Sequence, residues 1–343
     1  MPQPQVFIPV SEESQVGEAR RAAARVAADA GMDDVRRGEV AIVVTELANN
    51  LRKYGKDGRL ILGVVPGPEP AVQVLAVDKG PGMADPGRCM SDGFSTGGTT
   101  GTGLGAVRRI AAEFDLHSAA GAGTVVMARV SAVPPADRVR PAKPSVWGAV
   151  SSPAPGEVVC GDVWRVALKD DGGLTIMVAD GLGHGLLAAE AANVAAAAFD
   201  AGDAAGPRDL LERAHGRLSG TRGAAVAVAA VGVDTAGGRL LRYAGVGNIA
   251  GSLVAADGKT RGLASHNGTL GVIVRRFQEF EYPLDPAAGL LVMHSDGLQT
   301  RWSLAAHPGL AARHPAVVAA VLHRDHVRGR DDATVVVARL TAK

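Results

Sequence analysis

A break near the middle of the chain decides its architecture. Residues 131–145 read SAVPPADRVRPAKPS, with four prolines, several charges and little that could pack. Proline removes a backbone donor and favours extended backbone, so such a stretch is a semi-rigid spacer rather than part of a core. At 343 residues the chain is also long for one core. The expected organisation is therefore a domain over 1–132, a Pro-rich linker over 133–144 and a second domain over 145–343.

The two sides carry different patterns. Before the break, QVFIPV reads as a strand, followed by helices over about 14–30 and 36–54 and strands at 60–65 and 71–77. A Gly-rich loop, a helix over 104–113 and a last strand at 124–130 complete that side. After the break, short β-runs such as VWRVALK, LTIMVAD, AAVAVAAVGV, LLVMHSD and ATVVVARL surround a few Ala-rich helices. Both halves are predicted to be α+β with mainly antiparallel sheets, and no internal repeat relates them.

Composition narrows the function classes. A hydrophobic fraction of 47% with 21% charged residues excludes a disordered chain. A net charge of +1 gives no electrostatic drive toward nucleic acid or a membrane surface. No apolar run reaches the ~18 residues of a membrane span, and the N-terminus has no signal-peptide pattern, so a cytoplasmic protein is expected. Cys89 and Cys160 are far apart and form neither a disulfide framework nor a zinc motif. Cys160 reads as a small buried thiol.

Two constellations carry chemistry. In EVAIVVTELANNLRKYG, residues 39–55, Ile42, Glu46, Asn50 and Lys53 recur at helical spacing and share one face. An acid and an amide facing a cavity can hold a hydroxyl proton and a Mg²⁺ ion; facing water, they make an ordinary polar stripe. VQVLAVDKGPGMAD delivers Asp78 from a strand into a bend with Gly80 and Gly82. There a carboxylate can accept from an exocyclic amine such as adenine's, or simply shape a turn. DGFSTGGTTGTGLGAVRRI, residues 92–110, is a Gly-rich lid over 85–103 that runs into a helix start able to take phosphates.

In that order, with GAGTVV on a closing strand, these boxes resemble the GHKL family of ATPases and kinases, within it the RsbT-type serine/threonine kinases of bacterial stress signalling. The resemblance covers about residues 5–130 and implies the Bergerat α/β sandwich. It makes Glu46 the general base and Asn50 the Mg²⁺ ligand. It also gives Asp78 the adenine and has Gly80, Gly82, Gly101, Gly103, Gly105 and Thr124 line the ATP.

The second constellation is built of aspartates at strand ends. CGDVWRVALKDDGGLTIMVADGLGHG is two β-runs around a DDGG turn. With Lys169 opposite Leu174, Asp162 falls opposite Gly181, beside Asp180. Asp296 closes LLVMHSDG and Asp331 opens DDATVVVARL. Each alone is readable as a turn residue. Together, with Gly181 and Gly297 allowing close backbone approach, four acids at strand ends suggest a hard-metal site that favours Mg²⁺ or Mn²⁺. His184 reads as a helix-start residue, not a ligand.

This pattern resembles the metal-dependent PPM protein phosphatases in their SpoIIE/RsbX-type branch, over about 145–343. The resemblance implies a β-sandwich flanked by helices, with two Mn²⁺ or Mg²⁺ ions held by Asp162, Asp180, Asp296, Asp331 and the Gly181 carbonyl. Asp332 stands where Asn is commoner in that family, and Cys160 where glycine is.

The two resemblances together imply a partner-switching regulator. It would phosphorylate and dephosphorylate Ser or Thr on STAS-domain proteins of the stressosome or anti-anti-sigma type, and could meet a sigma-factor pathway component. Neither nucleic acid nor membrane is expected as a partner, and a homodimer is compatible with the sequence. The alternative from another class is a nucleotide-dependent docking or anti-sigma binding module fused to a catalytic phosphatase, with loss of Glu46 as the discriminator.

Overall fold

The computed structural model describes residues 4–67, 69–85, 87, 103–134, 145–169, 172–202, 204–233, 237–285 and 288–340. Gly101, nearly all of the expected lid and most of the Pro-rich linker lie outside the described residues. Two compact units emerge, one of residues 1–145 with 307–321 and one of residues 146–306 with 322–343. Among the described residues no helix is long and apolar enough to cross a membrane.

In the first unit, β1 (Val6–Pro9), α1 (Glu13–Asp29), α2 (Asp34–Tyr54), β2 (Arg59–Val65), β3 (Ala71–Asp78), α3 (Gly103–Ile110), β4 (Glu113–Ser118) and β5 (Thr124–Ser131) follow in order. The five strands form one antiparallel sheet in the order β1-β2-β3-β5-β4. α1 starts at a capping box in which Gln15 accepts from the Glu12 backbone at 2.9 Å. α2 starts where Asp33 accepts from the Arg36 N–H at 2.8 Å. Val40, Val43, Val44, Leu47, Ala48 and Leu51 recur at three- and four-residue steps and bury the inner face of α2 in the core with α1, α3 and the sheet.

The sequence-based helix over 104–113 is too long. α3 stops at Ile110, and Glu113 opens β4, which pairs Glu113 with Arg129 and Ser118 with Thr124. EFDLHS carries only a weak two-residue alternation, and pairing along β5 outweighs the local helical signal. Residues 307–321 also pack in this unit: His314 Nε2 lies 3.0 Å from Glu113, and its backbone N–H donates to Asp115 at 2.6 Å.

The second unit runs through β6 (Trp147–Ser152), β7 (Asp162–Leu168), β8 (Leu174–Gly181), α4 (Leu186–Asp200), α5 (Pro207–Arg217), β9 (Ala224–Val233), β10 (Arg239–Val246) and β11 (Ala250–Ala255). It continues with β12 (Thr260–Gly262), β13 (Gly268–Thr269), β14 (Ile273–Val274), β15 (Phe280–Pro283), β16 (Ala288–His294) and β17 (Ala333–Arg339). Two five-stranded antiparallel sheets result, β15-β10-β9-β8-β7 and β12-β11-β16-β17-β6. The alanine stripe of α4 and Leu210, Leu211 and Ala214 of α5 pack on Met177, Ala179, Val226 and Val228 of the first sheet. The small alanines let helix and sheet approach closely. The architecture is the α+β one expected for both halves.

Candidate active sites

In the first unit α2 holds Glu46 and Asn50 one turn apart, both half-buried, while Ile42 and Lys53 on the same stripe are exposed. The stripe faces the start of α3: Glu46 Oε2 stands 2.7 Å from where a Cβ on Gly103 would lie. A carboxylate is thus brought to the first backbone N–H groups of α3, while Gly105 is buried inside that helix. Asp78 ends β3 beside Thr124, its partner in β5, and its Oδ1 accepts from the Gly80 N–H at 2.6 Å. Thr124 Oγ1 lies 2.8 Å from Ser118 Oγ. Gly82 (φ +70°) is required by the protein itself, since a Cβ there would stand 2.0 Å from the Ala119 carbonyl oxygen. The polar groups therefore gather around the ends of α2, β3, α3 and β5, a cradle for a nucleotide whose phosphate end would meet α3.

In the second unit the β7–β8 hairpin places Asp162 directly opposite Asp180. The sequence-based register is off by one: Leu168, not Lys169, pairs with Leu174, and Lys169 instead donates to the Gly173 carbonyl at 2.8 Å in the turn. The slip brings the two acids closer. Asp162 is 6% exposed. Its Oδ2 accepts from Ser295 Oγ at 2.6 Å, and its buried Oδ1 has no hydrogen-bond partner. Gly181 must be glycine, because a Cβ would stand 2.0 Å from the Ala188 carbonyl oxygen of α4. Gly297 is forced likewise, at 1.9 Å from the Asp332 carbonyl oxygen, and this approach joins the turn after β16 to the start of β17. Asp296 and Asp331 are thereby drawn toward the same end.

Electrostatics mark this cluster. Burial, then the charges of Asp162, Asp296, Asp331 and Asp332, pushes the Asp180 carboxyl well above the usual range. Burial also pushes Asp162 up, against the Ser295 and Thr334 hydrogen bonds, and it raises Asp332 as well. The thiol next door is half-buried, less covered than the sequence reading expects. Burial and the Asp162 charge push the Cys160 thiol up, and its Sγ lies 3.4 Å from the Ser152 carbonyl.

Sequence reasoning missed two contributors, Ser295 and Asn248, and noted Asp332 only as a departure from the family pattern. Asp332 is 3% exposed, and its Oδ1 accepts from the Ala154 N–H at 2.8 Å. Its buried Oδ2 is unpartnered, so it is a fifth carboxylate of the cluster. Ser295 links Asp162 to the Thr334 N–H, which donates to Ser295 Oγ at 2.9 Å. Asn248 Nδ2 donates to Asp296 Oδ2 at 2.6 Å. His184 Nδ1 lies 2.7 Å from Glu157 Oε1.

The donor set fits hard divalent cations. It is all oxygen, two buried carboxylate oxygens lack partners, and the acids repel one another in the absence of a counter-charge. Among the described residues no three acidic or imidazole side chains already stand in a chelating arrangement, and Ser295 and Asn248 each hydrogen-bond one of the carboxylates.

The histidine kinase-like ATPase domain family matches residues 8–130, and the Stage II sporulation protein E (SpoIIE) family matches residues 170–341, half of the chain. Serine/threonine-protein kinase RsbT of Bacillus subtilis (strain 168) is 34% identical over 125 residues, covering 36% of this chain and 94% of RsbT. A solved chain from "The bacterial stressosome: a modular system that has been adapted to control secondary messenger signaling" is 29% identical, with a TM-score of 0.50, and covers 56% of this chain and 98% of that one. RsbX in complex with magnesium aligns at 21% identity and a TM-score of 0.46, over 56% of this chain and 94% of its own. The chain belongs to the SpoIIE family, joined to an N-terminal domain of the RsbT kind, and is an enzyme of the protein-serine/threonine phosphatase and kinase classes.

Proposed function

We propose that the chain sets the phosphorylation state of a STAS-domain protein from two sites, a kinase site around Glu46 and a phosphatase site around Asp162 and Asp180. The observation that carries this reading is the Asp162–Asp180 cross-strand pair, with its raised carboxyls and the unpartnered Asp162 Oδ1. Carboxylates so crowded are stable when ionised only beside cations.

In the phosphatase site Asp162, Asp180, Asp296, Asp331 and the Gly181 carbonyl would hold two Mn²⁺ or Mg²⁺ ions, with Asp332 alongside. Bound there, such ions lower the pKa of water and neutralise phosphoryl oxygens. Ser295 holds one oxygen of Asp162 and Asn248 one oxygen of Asp296 by hydrogen bonds. The reaction needs no covalent intermediate on the protein. In the kinase site Glu46 would take the proton of the acceptor hydroxyl, Asn50 would hold Mg²⁺, and Asp78 would bind the adenine amine. Gly80, Gly82, Gly101, Gly103, Gly105 and Thr124 would line the ATP.

The kinship with RsbT and with a stressosome component supports STAS-domain proteins as the substrates. The test is phosphate release from a phosphorylated STAS-domain protein with Mn²⁺ and then with chelator. Release that stops on chelation is expected; release indifferent to metal would overturn the phosphatase reading.

A further inference from the structure

Arg222 lies outside every role assigned so far. It is exposed, and among the described residues no hydrogen bond or ion pair engages its guanidinium. Its backbone is pinned on both sides. The Leu182 N–H donates to the Gly223 carbonyl at 3.0 Å, the Gly223 N–H donates to Thr221 Oγ1 at 3.0 Å, and Thr221 Oγ1 donates to the Leu218 carbonyl at 2.7 Å.

That pinning fixes where the side chain can reach. Ala225 and Ala224 of β9 pair with Asp180 and Gly181, so Arg222 sits just past the acidic end of β8. Its Nη1 lies 3.1 Å from where a Cβ on Gly183 would stand, over the loop that leaves the metal-site strand. Three residues along a strand span roughly 10 Å, which an arginine side chain and a phosphoryl group together can bridge. With no protein partner among the described residues, the guanidinium is free to take an anion. Its planar fork suits two phosphoryl oxygens.

We propose that Arg222 binds the phosphoryl group of the phosphoserine or phosphothreonine presented at the Asp162–Asp180 end of the hairpin. This rests on the phosphatase reading above. It makes Arg222 a substrate-binding residue that neutralises phosphoryl charge left over by the metal ions, without ligating metal itself. An exposed side chain free of partners is removable without cost to the fold, so Arg222→Ala and Arg222→Lys are informative variants.

The experiment is calorimetric titration of the Mn²⁺-loaded full chain with inorganic phosphate, alongside Mn²⁺ titration and turnover of a phosphorylated STAS-domain protein. Arg222→Ala is expected to weaken phosphate binding about tenfold and to raise KM by a similar factor, with kcat within about twofold and Mn²⁺ affinity unchanged. Arg222→Lys should recover part of the phosphate affinity, since it keeps the charge and loses the fork. Unchanged phosphate affinity in Arg222→Ala overturns the proposal, as does a wild-type protein that binds no phosphate. A rise in KM for the phosphoprotein without weaker phosphate binding overturns it too, since that would make Arg222 a contact for the protein surface. Wild-type protein that binds phosphate through Arg222 but turns nothing over would sustain the proposal and sink the phosphatase reading instead.

Discussion

Two buried acidic groups, one in each unit, have opposite electrostatics. In the first unit Glu113 stands against His314 and Arg129, at 3.0 and 3.4 Å. Burial alone would raise its carboxyl, but the His314 hydrogen bond and the Arg129 charge outweigh burial and hold it at about 2. In the second unit burial raises Asp180, Asp162 and Asp332, and no cation among the described residues offsets it. A buried acid that finds its partners within the protein is structural. A buried acid cluster left without them costs stability, and such a cost is retained where a ligand can offset it.

The sharpest break of that contrast is Asp180→Asn. It removes one negative ligand at almost constant shape, so Mn²⁺-dependent dephosphorylation should fall by at least about a thousandfold, while ATP binding is unchanged. Relief of repulsion should leave the melting temperature in chelator equal to or above wild type. An inactive variant that is also unfolded would make Asp180 a turn residue. Next comes Glu46→Gln, expected to slow phosphotransfer about 10²–10⁴-fold with nucleotide binding intact, since Asn50 and Asp78 are untouched. Wild-type transfer by this variant would remove Glu46 as the base.

Glu113→Gln should cost about 2–3 kcal/mol, because Arg129 is 2% exposed and loses its charge partner. Urea unfolding measures it, and a cost near zero would show that the ion pair is not structural. The smallest effect is a pH trend. Asp162 and Asp180 have folded-state pKa values above their unfolded ones, so their ionisation favours the unfolded chain. In chelator the stability they contribute is greatest below the ordinary carboxylate range and falls as pH rises above it toward neutrality. Glu113 has the opposite sign: its contribution is complete above the ordinary range and lost as pH falls toward about 2. Melting temperatures of wild type and Asp180→Asn in chelator should therefore diverge from mildly acidic to mildly alkaline pH, the variant ahead. Parallel curves would mean that the Asp180 carboxyl is not raised in the folded protein.

Much of this was legible along the chain, but only where neighbours in sequence are neighbours in space. Asp180 followed by Gly181 marks a strand end, although Gly181 serves the close approach of the Ala188 carbonyl, and α2 carries Glu46 and Asn50 on one face. The hairpin register slipped by one because the tight turn closes between Lys169 and Gly173, a geometry that the pattern of β-runs does not encode. Ser295 and Asn248 were hidden because their roles arise from chain segments 39 to 133 residues apart. Glu113 was taken for the end of a helix, whereas β5 pairs it into the sheet opposite its partner Arg129.

That one chain carries two independent and opposed sites is our proposal. It is tested most directly by following the phosphorylated fraction of one STAS-domain protein over time, with ATP, Mg²⁺ and Mn²⁺, in the presence of wild type, Glu46→Gln or Asp180→Asn. Glu46→Gln should only remove phosphate from the phosphorylated protein, Asp180→Asn should drive it to full phosphorylation, and wild type should settle between them. If either variant behaved as wild type, or if Asp180→Asn abolished phosphorylation as well, the two sites would not be the separate and opposing centres described.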